Sequence, residues 1–224
     1  MEPHANTSVG ASSPGAMRSV AGRDISALLN ARPVVLVGAH GRRDDAGATT
    51  LHPGASSRSV ATHETCFATV AWAMPLSHDP AMLAFSIRER SRTFEVLRTA
   101  GYFSISTLDA KDPTSVVTAT YCGNTTGHVE NKAAHIPHEL IRAEGERGAF
   151  VAPAPAAALS WLACEIESIQ PAGDHMLVIA YVREARTRCG IDEQGRTAAL
   201  DTLLCIQHDT FAFVDAEALA QSIP

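Results

Sequence analysis

Residues 66–101 constrain the fold of this chain more strongly than any other segment. They begin with an apolar run at 66–74 that is typical of a strand. A second strand is predicted at 82–87, after Met-Pro and Asp-Pro dipeptides that predict breaks. A helix is then predicted over 91–100, where Gly101 can adopt the left-handed conformation that ends many helices. The segment therefore predicts two short strands and one short helix in succession.

Most of the other elements predicted from the sequence are also strands. They cover residues 33–37, 102–107, 159–170, 176–186 and 200–207. Residues 171–174 form a turn signal that joins two of these strands as a hairpin. Asp112-Pro113 predicts the start of a helix that runs to about residue 121, and short helices are predicted at 24–30 and 216–221. Many short strands and few helices predict a mainly β fold with peripheral helices, arranged as a closed antiparallel barrel.

The chain is long enough for one domain with flexible ends. Residues 1–22 are rich in Ser, Gly and Ala and predict a flexible tail, and residues 23–215 form the predicted domain. Residues 39–63 are polar and Gly-rich, and we interpret them as a long hairpin or an insertion that serves as a lid or a dimer arm. We interpret 123–148 as a mobile connection and 151–155 as a linker. A tail or short helix is expected at 216–224.

Composition argues against several classes of protein. The formal net charge of -6 and the pI of about 5.9 argue against nucleic acid as a partner, because proteins that neutralise phosphates are usually basic. The five cysteines lie far apart and form no C-x-x-C motif, so neither a disulfide framework nor a metal site is predicted, and a reducing cytoplasm fits. No apolar run reaches the ~18 residues that span a membrane, and the N-terminus lacks the features of a signal peptide.

Basic and hydroxyl side chains are concentrated where the helix at 91–100 begins. They are Arg88, Arg90, Ser91, Arg92 and Thr93. A helix N-terminus presents unpaired backbone amides, and arginine binds phosphate through several hydrogen bonds, so this combination predicts a site for a phosphate monoester. Only Glu89 and Glu95 lie nearby in the sequence, which makes the local charge positive. The alternative is a charged, solvated helix start with Ser91 or Thr93 as its cap.

The strand before this cluster carries apolar and aromatic residues, against which a flat ring could lie. A phosphate site next to such a surface predicts a mononucleotide cofactor. A dinucleotide-binding fold is not predicted, because the glycine-containing run that follows residue 37 lacks the G-x-G-x-x-G spacing and leads into no helix pattern.

The order of several short motifs resembles one known family. The motifs are Trp72, Met74-Pro75-Leu76-Ser77, Asp79-Pro80, Ser86-Ile87, Thr93, Gly101-Tyr102-Phe103, Cys122-Gly123-Asn124-Thr125-Thr126-Gly127, Lys132 and Gly173-Asp174-His175. This ordered set resembles the flavin reductase-like FMN-binding split barrels, the family that includes the flavoredoxins. The resemblance covers roughly residues 28–213.

The resemblance implies FMN as the cofactor and suggests which residues contact it. It implies that Thr93 lies at the phosphate, that Trp72 lies close to the flavin ring, and that Lys132 and His175 face the flavin. The alternatives for the last three residues are a core tryptophan, a surface lysine and a polar hairpin histidine.

Cys66 is the main departure from the family pattern, which commonly has Asn at this position to hydrogen-bond the polar edge of the ring. A thiol is a weak donor and a weak acceptor. Either the ring is held less tightly there, or Thr65 or Thr69 supplies the bond. We predict that Cys66 is a small buried hydrophobe and not a redox centre. No catalytic side chain is assigned.

For the function, the resemblance implies a homodimeric oxidoreductase in which NADH or NADPH delivers a hydride to the flavin, which then passes electrons on. A flavin reductase that supplies a monooxygenase is the first interpretation. A flavoredoxin-type electron carrier is the second. A flavin-binding or other ligand-binding barrel without turnover is the third, because a fold does not determine a function.

Overall fold

The computed structural model describes residues 28–29, 31–42, 63–190, 204–207 and 210–212. The tail predicted at 1–22, most of the helix at 24–30, the interior of the 39–63 segment and the helix at 216–221 lie outside these residues. The expectations for those four segments stay predictions.

Short strands dominate the described part of the chain. The strands are β1 (Arg32–Pro33), β2 (Val35–Arg42), β3 (His63–Val70), β4 (Ala73–His78), β5 (Ala81–Arg88), β6 (Tyr102–Leu108), β7 (His138–Gly145), β8 (Gly148–Pro155), β9 (Ala158–Ala172), β10 (His175–Thr187), β11 (Leu204–Gln207) and β12 (Thr210–Ala212). The helices are α1 (Arg92–Ala100) and α2 (Pro113–Asn124), with a 3-10 helix at Lys132–His135. No helix in the described ranges is long and apolar enough to cross a membrane. The predicted mainly β fold with peripheral helices is confirmed.

Seven of these strands form one antiparallel sheet in the order β3-β2-β6-β9-β10-β5-β4. Buried side chains near the two ends of this order, such as Ala68 on β3 and Phe85 on β5, share one hydrophobic core with Phe103 and Val178 from its middle. The sheet therefore curls around this core, which is the geometry of a barrel. Two smaller sheets consist of β1, β11 and β12, and of β7 and β8.

Helix α1 is fixed against the barrel by its apolar face. Phe94, Val96 and Leu97 belong to the same core as the strands, so the first turn of the helix has a set position relative to the end of β5. Gly101 ends the helix as predicted, with φ at 78° and its N–H donating to the Leu97 carbonyl at 2.8 Å.

Helix α2 begins as predicted but ends later. The Asp112 side chain accepts a hydrogen bond from the backbone N–H of Thr114 at 2.8 Å, which is the expected N-cap. The helix continues to Asn124 instead of ending near residue 121. Cys122 lies in its last turn and is buried in a second core, and this packing holds the extra turn in place.

Two segments that the sequence suggested were irregular form a hairpin. Residues 123–148, expected to be a mobile connection, contain the end of α2, the 3-10 helix and β7, and residues 151–155, expected to be a linker, belong to β8. Both interpretations were wrong. Pro153 and Pro155 argue against a strand, but they lie in a two-stranded sheet, where the missing N–H groups are tolerated. For the same reason Met74-Pro75 lies inside the edge strand β4 and is not a break.

Candidate functional site

A cleft of about 580 Å³ lies where β3 and β5 end, next to the start of α1 and the end of α2. Its lining residues are Ala68, Thr69, Val70, Ala71, Trp72, Ser86, Ile87, Arg88, Arg90, Ser91, Arg92, Thr93, Cys122, Gly123, Asn124, Thr125, Thr126, Gly127, Lys132 and His175. Every residue predicted to bind the cofactor lines this cleft except Cys66. The fold thus brings together side chains that are widely separated in the sequence.

One end of the cleft is formed by the loop from β5 to α1 and by the first turn of that helix. Ser91 is the extended N-cap residue, and its hydroxyl makes no capping hydrogen bond to the helix. The first amides of a helix have no carbonyl partner within it, so they are available to a ligand. Arg88 and Arg90 are exposed and form no ion pair with any residue that the structure describes. Together with Thr93, which is 1% exposed, these groups form an end of the cleft that suits an anion, the candidate anion-binding end.

Arg92 lines the cleft, and two carboxylates engage its guanidinium group. Its Nε donates to both carboxylate oxygens of Glu64 at 3.1 Å, its Nη2 also donates to Glu64, and its Nη1 donates to Glu95 at 2.8 Å. The hydrogen bond to Glu64 raises the pKa of Arg92 above its ordinary value. Sequence spacing could not show this pairing, because Glu64 comes from a different strand.

Trp72 and His175 form an aromatic wall of the cleft. The rings of Trp72 and His175 lie with centroids 4.9 Å apart and planes inclined by 39°. His175 Nδ1 donates to Asp174 Oδ1 at 2.7 Å, which leaves Nε2 available. The ladder between β5 and β10 pairs His175 with Arg88, so strand register places the histidine beside the anion-binding end.

Lys132 is a buried cation in the floor of the cleft. Lys132 belongs to the 3-10 helix that follows α2 and is 6% exposed. Its Nζ donates a hydrogen bond to the Cys122 carbonyl at 2.9 Å. Burial lowers the pKa of Lys132 from its ordinary value of 10.5. The alternative of a surface lysine is therefore wrong.

Thr69 and Cys66 point to opposite faces of β3, because side chains alternate along a strand, and their surroundings differ. Thr69 lines the cleft, and its hydroxyl donates to the Ala119 carbonyl at 2.6 Å. Cys66 is buried outside the lining, and its thiol donates to Glu64 at 3.1 Å. Burial first, and then the hydrogen bond to Glu64, raise the pKa of Cys66 to about 12. The structure therefore does not place Cys66 at the polar edge of a ligand in the cleft.

The sequence matches the family described as "Flavin reductase like domain" over residues 28–211. The chain belongs to this flavin reductase-like family. No curated protein matches it in sequence.

Solved structures share the fold of this flavin reductase-like chain at low sequence identity. Flavoredoxin from Methanosarcina acetivorans is 18% identical, with 89% of this chain and 92% of that chain covered and a TM-score of 0.65. The FMN-binding protein from Thermus thermophilus, solved with bound cyclohex-2-enone, is 21% identical, with coverages of 91% and 96% and a TM-score of 0.63. The NADH:FAD oxidoreductase from Streptomyces globisporus, in complex with NAD and FAD fragments, is 17% identical, with coverages of 84% and 88% and a TM-score of 0.57. The split-barrel fold expected from the sequence is confirmed.

Sequence reasoning missed two parts of this flavin reductase-like site. The last residue of α2, Asn124, and the loop after it, with Thr125 and Thr126, contribute to the lining, and the C-G-x-x-[ST]-G motif was a signal for this segment. A Cβ added at Gly127 would lie 3.0 Å from Arg92 Cβ, so this loop needs glycine where it approaches α1. The pairing of Glu64 with Arg92 was missed as well, because the two residues are distant in the sequence and no local pattern links them.

The arrangement suits a planar ligand that carries an anionic group. One end offers amides, hydroxyls and two arginines, the wall is aromatic, and the floor holds a buried ammonium group. Among the residues that the structure describes, no group of three His, Cys, Asp or Glu side chains could hold a metal ion.

Proposed function

We propose that this chain is an FMN-binding oxidoreductase that transfers electrons from NADH or NADPH, through the flavin, to a downstream acceptor. A single cleft carries this proposal, because it combines an anion-binding helix start with an aromatic wall and a buried cation. Membership of the flavin reductase-like family supports the same reaction class.

The residues at the helix start suit the phosphate of FMN. A phosphate monoester carries close to two negative charges near neutral pH and offers three acceptor oxygens. The free amides of α1, the Ser91 hydroxyl and the guanidinium groups of Arg88 and Arg90 are the complementary donors. Thr93 completes this set from the first turn of the helix.

The other side of the cleft suits the flavin ring. Trp72 presents an aromatic surface, and the ammonium group of Lys132 favours negative charge near the floor because little water screens it there. His175 presents Nε2 as a hydrogen-bonding atom while Asp174 fixes its Nδ1. When bound, FMN would supply the hydride chemistry, accepting electrons from the nicotinamide and delivering them to the acceptor.

We also propose that the protein is a homodimer and that the second copy lies next to Trp72. A hollow of about 710 Å³ adjoins the cleft and shares Ala71, Trp72 and Ser86 with it. Most of the other residues that line the hollow are apolar. Two of them are strongly exposed, Leu29 at 73% and Met74 at 57%. Exposed apolar surface of this kind favours association. Light scattering that gives the mass of one chain at micromolar concentration, with flavin bound, would contradict this proposal.

A cytoplasmic location and a monooxygenase as the flavin or electron acceptor belong to the same proposal. Cys66, Cys122, Cys164 and Cys189 are free thiols, which supports a reducing compartment. The acceptor follows from the resemblance to flavin reductases and awaits a direct assay.

The decisive experiment is steady-state oxidation of NADH and of NADPH by the purified protein, with and without added FMN. Sustained oxidation that depends on FMN supports the proposed reductase. Reduction of the bound flavin only by a protein donor supports the flavoredoxin-type carrier. Absence of flavin absorbance and of flavin binding would contradict the proposal as a whole.

A further inference from the structure

Arg88, Arg90, Ser91 and Thr93 form the phosphate end of the cleft. Beside this end, an ion pair ties β3 to α1. Glu64 lies on β3, and its carboxylate receives hydrogen bonds from both Nε and Nη2 of Arg92, the first residue of α1. Glu95, one turn along the helix, engages Nη1 of the same guanidinium. The side chain of Arg92 is 15% exposed and that of Glu64 is 21% exposed, so solvent screens their attraction only in part.

These contacts remove the charge of Arg92 from the phosphate end. Two carboxylates surround one guanidinium, so the three side chains together carry a net negative charge. The aliphatic stem of Arg92 still lines the cleft and lies against Gly127. Arg92 therefore contributes a wall, while Arg88 and Arg90 remain the arginines available to an anion among the described residues.

We propose that Glu64 withdraws Arg92 from the phosphate end of the cleft and thereby limits how strongly the site prefers a phosphorylated flavin to an unphosphorylated one. This inference rests on the proposed function, since it concerns the flavin site. With Glu64 in place, the phosphate of FMN meets two arginines and a helix start instead of three arginines. The result is weaker retention of FMN, which suits a flavin that exchanges with solution.

A merely structural role for Glu64 predicts a different outcome. If Glu64 only held β3 to α1, its loss would deform the cleft and weaken the binding of FMN and of riboflavin together. If Glu64 oriented Arg92 toward the phosphate, its loss would weaken FMN binding alone. Withdrawal of Arg92 predicts the opposite sign, because a guanidinium that is released from Glu64 adds attraction for the phosphate dianion.

The test compares the Kd of FMN with the Kd of riboflavin by fluorescence titration. Glu64→Gln keeps the volume and the acceptor oxygen but removes the charge. We expect the riboflavin Kd to stay within about twofold and the preference for FMN to rise about fivefold, as for one partly screened charge near the phosphate. In the double variant Glu64→Gln with Arg92→Gln, the net charge equals that of the wild type, and the preference should return to within about twofold of it.

Glu89→Gln is the control, because Glu89 is exposed in the loop between β5 and α1, and its substitution makes the same change in charge without a hydrogen bond to Arg92 being lost. Each of three results would overturn the proposal. The preference for FMN rises equally in this control, it is unchanged or lower in Glu64→Gln, or it is lost in the double variant. Circular dichroism and thermal unfolding of every variant report whether the fold is intact. A wild type that binds FMN but not more tightly than riboflavin overturns this inference alone, whereas a wild type that binds neither flavin contradicts the proposed function and removes this inference with it.

Discussion

Trp72 and His175 face each other across β5, with ring centroids 4.9 Å apart, although they are far apart in the sequence. Strand β5 holds both residues, since Ser86 donates its N–H to the Trp72 carbonyl at 2.8 Å and Arg88 is the ladder partner of His175. The Arg32 guanidinium lies over the same indole, 5.6 Å from its centroid. The aromatic wall of the cleft is thus a product of three chain segments and not of one motif.

Replacement of Trp72 by Ala should weaken the binding of FMN and of riboflavin equally, by about 1 kcal/mol or more, because the flavin ring loses the aromatic surface of the indole. Trp72→Phe should restore part of the affinity. Fluorescence titration measures both ligands. Trp161→Phe is the matched control, because Trp161 packs against the core below the β7–β8 hairpin and does not line the cleft. Unchanged affinity in Trp72→Ala would remove this wall from the flavin site.

The double substitution Arg88→Gln and Arg90→Gln should weaken FMN binding by at least ~1.5 kcal/mol, because charge-assisted hydrogen bonds to the phosphate are lost. The salt dependence of FMN affinity should fall at the same time, while riboflavin affinity should stay the same. Arg98→Gln, an exposed arginine in the last turn of α1, serves as the control. If FMN and riboflavin lose affinity in parallel, the phosphate does not lie at this end.

Lys132 should make the stability of the ligand-free protein depend on pH in the alkaline range. Burial lowers the pKa of Lys132 in the folded state below the ordinary 10.5. Between the lowered value and 10.5, the unfolded chain binds more protons than the folded one, so the free energy of unfolding rises with pH in this window.

Lys132→Met should remove most of this rise and also weaken flavin binding, since the cation in the floor is lost. Lys111→Met, at an exposed position, is the control and should change the alkaline profile less than Lys132→Met does. Denaturant unfolding at a series of pH values measures the effect. If the unfolding free energy depends on pH in the same way in Lys132→Met and in the wild type, Lys132 is not the group responsible for the rise.

Glu165 should stabilise the fold at neutral pH by tying the β7–β8 turn to the barrel. It is 3% exposed and accepts hydrogen bonds from Arg147 Nε at 2.9 Å, from the Glu146 N–H at 2.9 Å and from Arg183 Nε at 2.8 Å. Burial alone would raise the pKa of Glu165, but these bonds outweigh it and lower the pKa to about 2 from 4.5. The folded carboxylate therefore adds stability above pH 4.5, and this contribution is lost as the pH falls toward 2.

Glu165→Gln should therefore cost up to about 3 kcal/mol of unfolding free energy at neutral pH, and the cost should shrink in acid. Glu184→Gln removes a carboxylate that pairs with the exposed Arg186 on the surface, and it should cost less than about 1 kcal/mol. Urea unfolding at neutral and acidic pH compares the variants. A constant difference across this range would show that the charge of Glu165 is not responsible.

The buried thiols should be inert. Burial raises the pKa of Cys66 to about 12 and that of Cys122 to about 11, so neither forms a thiolate near neutral pH. Alkylation of the native protein followed by mass spectrometry should modify Cys189 first, because Cys189 is partly exposed. Cys66→Ser should retain most flavin reduction by NAD(P)H. Loss of turnover in this variant with flavin still bound would require a thiol relay.

Features that depend on neighbouring residues were predictable from the sequence. Helix α1 starts after Ser91 and ends at Gly101, and α2 starts after Asp112, because caps and turns are local choices of backbone conformation. Apolar runs and turn signals predicted most of the barrel strands for the same reason. Strand β8 was missed because Pro153 and Pro155 carry a local signal that an edge position overrides.

The sequence by itself determined the family, the mainly β fold and nine of the twenty residues that line the cleft, since ordered motifs and local patterns survive without knowledge of packing. Only the tertiary structure decided what those residues do there. It paired Arg92 with Glu64, buried Lys132, set Trp72 against His175 and moved Cys66 out of the lining. Each of these depends on contacts between segments that are distant in the chain, and the charge and burial of a side chain follow from such contacts and not from its neighbours in sequence.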